Sequence, residues 1–238
     1  MSKAFEELDF QKTPLGDLIL RRRQVPSLGN REVYEVKLGE AFLMSSLFHE
    51  VEVALANLGL GELQSGLWDV VIGGLGLGYT AAAALQHDAV SSLLVVDALE
   101  PVIGWHQRGL VPLGLTLSED PRCRFVLGDF FELAQSTAGF DPKTEGRRFH
   151  AILLDIDHSP KNLLHPRHGR FYSLDGLRRL ASHLLPGGVF ALWSDDPPED
   201  EFLELLSGVF TKVKSEVVTF ENPLLGRDSA STVYVASL

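Results

Sequence analysis

Val70-Val71-Ile72-Gly73-Gly74-Leu75-Gly76-Leu77-Gly78 is the stretch that decides the fold. An apolar run breaks into alternating glycines and is followed at once by the helix-forming Tyr79–Leu85. A buried strand that turns this tightly leaves backbone that no side chain covers, so a ligand can approach it closely. The helix behind the turn presents N–H groups to an anionic or polar ligand. About 20 residues on, the apolar run Ser92–Val96 ends in Asp97, the position at which a nucleotide cofactor sets its ribose hydroxyls. Gly73, Gly74, Gly76, Gly78 and Asp97 are accordingly read as cofactor-binding residues.

Outward from this stretch the period of the sequence changes. Strand-like runs at Asp69–Ile72, Ser92–Val96, Cys123–Leu127, Ala151–Leu154 and Val189–Trp193 alternate with helical patterns at Tyr79–His87, Val102–Leu110, Ser173–Leu184 and Asp200–Val209. Alternation of this kind implies βαβ units around a parallel sheet. Lys212–Phe220 and Thr232–Ala236 have no room for a helix between them and are expected to pair as a hairpin at the end of the sheet. The expected fold class is α/β, a Rossmann-like class I methyltransferase fold whose seven-stranded, mostly parallel sheet ends in an antiparallel hairpin. The N-terminal segment differs. Phe5–Phe10, Asp17–Arg23 and Glu32–Leu38 are short alternating runs separated by turn residues, which predicts a small β-meander. From Phe42 to Leu58 apolar residues recur at helical spacing. The expected organisation is a meander over 1–41 and a cofactor-binding catalytic domain over 42–238.

Ligands of such sheets sit at the carboxyl ends of the strands, and four of the five ends here carry a carboxylate. Asp129 can accept from an adenine amino group while Phe130 covers the base; Asp is also a favoured N-cap for the helix that follows. Asp155 can hold a cationic amine and take its proton as the amine becomes a nucleophile, and is the candidate catalytic residue. Asp157 and His158 follow in the same loop, and His49 lies in Phe48-His49-Glu50; all three are candidates for substrate binding. His158, His165 and His168 share one loop, but Pro160, Pro166 and Gly169 between them give no fixed ligand register, so no metal is expected. The single cysteine, Cys123, excludes an internal disulfide framework.

The net charge of −11 argues against a nucleic-acid partner and is compatible with a cationic small substrate. No apolar run is long enough to span a bilayer, and Met1–Asp9 lacks a signal peptide's layout, so a cytoplasmic protein is expected.

The chain resembles the spermidine synthase-like proteins, the polyamine aminopropyltransferases. The resemblance runs through Val71-Ile72-Gly73-Gly74, Val95-Val96-Asp97, Asp120-Pro121-Arg122 to Gly128-Asp129-Phe130-Phe131-Glu132, Ala151–Asp155, and Phe171-Tyr172 to Leu185-Pro186-Gly187-Gly188-Val189. It implies transfer of an aminopropyl group from decarboxylated S-adenosylmethionine to a diamine such as putrescine, in a homodimer. The glycine loop and Asp97 would hold the donor, Asp129 its adenine, and Asp155 would help deprotonate the acceptor. Three positions depart from the family. Gly76 stands where an aspartate handles the aminopropyl ammonium, Phe48 replaces a tyrosine, and His158 replaces the second acid of the Asp155 loop. Met44-Ser45-Ser46 replaces acids that precede the substrate helix. Two alternatives therefore stand beside the first: an S-adenosylmethionine-dependent methyltransferase acting on a small acceptor, and a non-catalytic cofactor-binding or interaction module.

Overall fold

The glycine run leaves the carboxyl end of a strand in the middle of the larger of two sheets. A computed structural model describes residues 4–238, so the first three residues of the expected N-terminal unit lie outside it. In the larger sheet, β5 (Trp68–Gly73) is flanked by β6 (Val90–Asp97) and β8 (Phe149–Leu154). Beyond β6 lies β7 (Cys123–Leu127); beyond β8 lie β9 (Leu184–Ser194), β11 (Arg227–Ser237) and β10 (Lys212–Asn222). The pairings from β7 across to β9 are parallel, whereas β11 runs antiparallel to both β9 and β10. This is the expected seven-stranded sheet ending in a hairpin.

Alternation between two buried faces explains why the run Val70–Ile72 of β5 is apolar. Val70 and Ile72 point into one core layer and Val71 into the other, all fully buried. The layers are built with α1 (Glu50–Leu60), α2 (Tyr79–Leu85), α3 (Glu100–Gln107), α4 (Gly114–Glu119), α5 (Phe130–Gln135), α6 (Leu174–Ala181) and α7 (Asp200–Ser207). Helix α4 was not foreseen; the pattern expected over Val102–Leu110 stops at Gln107, and the left-handed Gly109 turns the chain. Among the described residues no helix is long and apolar enough to cross a membrane.

The N-terminal sheet has one strand more than the alternation suggested. β1 (Phe5–Thr13), β2 (Gly16–Val25), β3 (Arg31–Leu38) and β4 (Ala41–Ser45) form an antiparallel meander in that order. The helix expected from Phe42 begins only at Glu50. A tight turn with Gly39 at φ 56° returns the chain onto β3, pairing Leu38 with Ala41 and Glu35 with Ser45. The ladder to β3 outweighs the helical spacing of so short a run. Leu18, Leu20 and Val36 of the meander belong to the same buried core as Val70 and Ile72.

The chain runs from β5 outward through β6 to β7, then crosses back to β8 on the other side of β5. The order reverses between β5 and β8, the place where open α/β sheets carry their ligand crevice.

Candidate active site

A cavity of about 690 Å³ opens at that reversal. Of the residues singled out in the sequence, Gly74, Gly76, Asp97, Asp129, Phe130, Asp155, His158 and His49 line it. Asp97, Asp129 and Asp155, which end or follow three different strands, therefore face one hollow.

Gly74 is required by close approach. Its φ is 94°, and a Cβ there would collide with the main-chain carbonyl of Asp155. Gly76, at φ 48°, has the thioether of Met44 where a side chain would begin, and the Leu77 N–H donates to the Met44 sulfur at 3.1 Å. Gly73 and Gly78 do not line the cavity; Gly73 packs against the Phe130 ring, Gly78 against Leu117 and His106. The fully buried His106 shares a 2.9 Å hydrogen bond with the Gly76 carbonyl, and burial holds its pKa below the usual imidazole value.

Asp97 both lines the cavity and organises the loop. One carboxylate oxygen accepts from Leu75 N–H at 2.9 Å and the other from Leu99 N–H at 2.8 Å. Burial raises its pKa, and the amides of Leu99, Leu75 and Gly76 oppose that rise. Asp129 caps α5, accepting from Phe131 N–H at 2.9 Å and Glu132 N–H at 3.2 Å, while still facing the cavity. Phe130 is largely core: it is 2% exposed and stacks on Phe140 at 5.0 Å between ring centroids.

Asp155 accepts from the Thr80 hydroxyl at 2.8 Å. Burial pushes its pKa up to about 6, against the lowering effect of that bond. Across the cavity wall stands Glu52 of α1, a residue the sequence reading did not single out. Burial, and then the charge of Asp155, push Glu52 up to about 8. The two carboxyls form an acid pair in which burial and mutual repulsion disfavour ionisation of both together.

The remaining candidates divide. His49 stacks on Tyr79 (4.3 Å between centroids, planes 16° apart), and its Nδ1 is buried with no hydrogen-bond partner. His158 lines the cavity and its main-chain carbonyl accepts from Asp195 N–H at 2.7 Å. Asp157 does not line the cavity. It is buried, and its carboxylate binds Leu164 N–H at 2.8 Å, His168 at 2.7 Å and the Tyr172 hydroxyl at 3.0 Å, tying down the loop. The His168 thus held stacks on Phe131 at 3.9 Å and lines the cavity in its place.

Two solved structures share this architecture. A crystal structure of spermidine synthase in complex with the transition-state analogue AdoDATO superposes with a TM-score of 0.74 at 17% identity, over 97% of this chain and 73% of that one. The fold is that of spermidine synthase. Spermidine synthase from Thermotoga maritima gives a TM-score of 0.73 at 17% identity, over 97% of this chain and 72% of that one. At this identity the likeness to spermidine synthase concerns the fold. No protein-family model and no curated protein sequence matches the chain.

Proposed function

We propose that the protein transfers an aminopropyl group from decarboxylated S-adenosylmethionine to a primary amine, the class to which diamines belong. The observation that carries this reading is the presence of Asp97, Asp129 and the Asp155–Glu52 pair around one cavity. Asp97 retains acceptor capacity for ribose hydroxyls beyond the loop amides it binds. Asp129 faces the adenine end, beside the Phe131–His168 stack. The likeness to a fold seen with a transition-state analogue of spermidine synthesis supports the same assignment.

The chemistry asks little of the protein beyond alignment. The amine lone pair attacks the carbon beside the sulfonium, the carbon–sulfur bond breaks, and its electron pair stays on sulfur as a neutral thioether. The attacking nitrogen must be unprotonated before attack and sheds a further proton after it. Asp155 is positioned to accept a proton, and the neighbouring Glu52 to share it. The acidic lining favours a cationic acceptor over an anionic one.

Methyl transfer from intact S-adenosylmethionine is the second reading, and a specific observation favours it: the loop carries no carboxylate at Gly76, where Met44 lies instead. Thermal-shift titration with both donors, followed by product mass on an amine panel, decides. Stabilisation by the decarboxylated donor, with an aminopropylated product, is the expected result. Stabilisation by the intact donor alone would replace the first reading with the second, and no stabilisation by either would leave a non-catalytic module.

A further inference from the structure

The cavity has two unlike halves, divided by Asp155. On the side of β5, β6 and β7 stand Asp97 and Asp129, the groups suited to a nucleoside. On the other side stand Phe48 of the segment before α1, Trp193 of β9 and Phe220 of β10. Phe48 and Phe220 touch across this half, their ring centroids 5.8 Å apart. Its buried acids are the Asp155–Glu52 pair; the other polar side chains on the lining include His49, whose Nδ1 is buried without a partner, His158 and Ser231. The other acids on this side, Glu50 and Asp195, are exposed at the rim, where Asp195 accepts from Ser231 at 3.4 Å.

Each half presents a different demand to an acceptor. Burial disfavours a second negative charge on the Asp155–Glu52 pair, which suits it to one ammonium. A second ammonium on a short chain would rest against the apolar walls of Phe48, Trp193 and Phe220, shedding water there. An apolar substituent would gain from the same walls in proportion to the area it hides. We infer that the acceptor is a primary amine with one apolar alkyl or arylalkyl substituent, its nitrogen at Asp155 and Glu52 and its substituent against Phe48, Trp193 and Phe220. This rests on the reading of the cavity as a sulfonium-dependent transfer site, and it holds whichever group is transferred.

The test uses the intact protein without donor, so that failure of donor binding is read separately in the donor titration. Butylamine, pentylamine, hexylamine, phenethylamine and putrescine are titrated by calorimetry at pH 7.5. Affinity is expected to rise about fourfold per added methylene from butylamine to hexylamine, the gain that burial of a methylene supplies. Hexylamine and phenethylamine should bind at least about tenfold more tightly than putrescine, which must desolvate a second charge. Phe220→Ser should flatten the chain-length dependence of the monoamines. A flat series in the unaltered protein, putrescine binding as tightly as hexylamine, or no amine bound at all would each overturn the inference. Selective loss of putrescine binding in Asp195→Asn, with putrescine the tighter ligand, would instead place a diamine between the acid pair and the rim.

Discussion

Replacing Glu52 by Gln should make the protein more stable, and by an amount that depends on pH. The carboxyl of Glu52 has an ordinary pKa of 4.5 and is pushed up to about 8 in the folded chain. Between those values the folded state binds more protons than the unfolded state, so the contribution of Glu52 to stability becomes more unfavourable as pH rises through that window. At about 1.4 kcal/mol per pH unit, the full shift corresponds to at most about 5 kcal/mol above pH 8. Glu52 stands on the wall of an open cavity, where water relieves part of this cost, and about 2 kcal/mol is the expected difference at pH 8. Gln is nearly isosteric and does not titrate. For a chain of this length such a gain raises Tm by about 4–8 °C. Calorimetric unfolding at pH 5, 6.5 and 8 should show variant and parent nearly equal at the lowest pH and diverging upward. A difference that stays constant with pH, or a parent that gains on the variant as pH rises, would refute the acid pair.

Asp155→Asn should lower turnover by about 100-fold or more while leaving donor affinity within about threefold, because it removes a proton acceptor and no nucleoside contact. In the unaltered protein, turnover under saturating acceptor is expected to climb as pH rises through about 6, as Asp155 ionises; a profile flat across pH 5–7 would exclude that role. Asp97→Ala should weaken donor binding at least about tenfold and also cost about 2 kcal/mol of stability, since Leu75 and Leu99 N–H lose their acceptor. Unchanged donor affinity by calorimetry would remove Asp97 from the site. Gly74→Ala should destabilise by about 2 kcal/mol or more, through both its positive φ and the collision with the Asp155 carbonyl; an unaltered melting curve would contradict that approach of the loop to β8.

What the sequence made legible was local. Val70–Ile72 announces a strand buried on both faces, and the acids at Asp97, Asp129 and Asp155 are tied to strand ends by residues adjacent to them in the chain. The hairpin of β10 and β11 followed from the lack of room for a helix, although both strands run longer than their apolar cores, from Lys212 to Asn222 and from Arg227 to Ser237. The features that escaped depend on what folds over the strand ends. Glu52 sits between Val51 and Val53, and nothing in that spacing says that α1 turns it toward Asp155. Asp155 and Asp157 have the same parity, but the chain leaves β8 at Leu154, so alternation no longer determines where Asp157 points. It went to the loop, where three donors satisfy its burial. Met44 was hidden by the helical spacing from Phe42 onward, which the ladder to β3 overrides.

These escaped features lie in one part of the molecule, and this bears on how specificity is divided. In the proposed transfer the nucleoside would lie beside β5, β6, β7 and their loops, whose geometry is set by the parallel sheet, and the acceptor beside α1, β9 and the hairpin strand β10. The meander is not a loosely attached cover: Leu18, Leu20 and Val36 share a core with Val70 and Ile72, and Asp9 of β1 accepts from Trp105 Nε1 at 2.7 Å and from Arg108 at 3.0 Å on and just after α3. Moving the meander would expose that core, so Met44 of β4 acts as a fixed wall. If the cavity carries out the proposed transfer, changes confined to α1, β9 and β10 are expected to alter which amine is accepted while the carboxylates at the ends of β6 and β7 still hold the nucleoside.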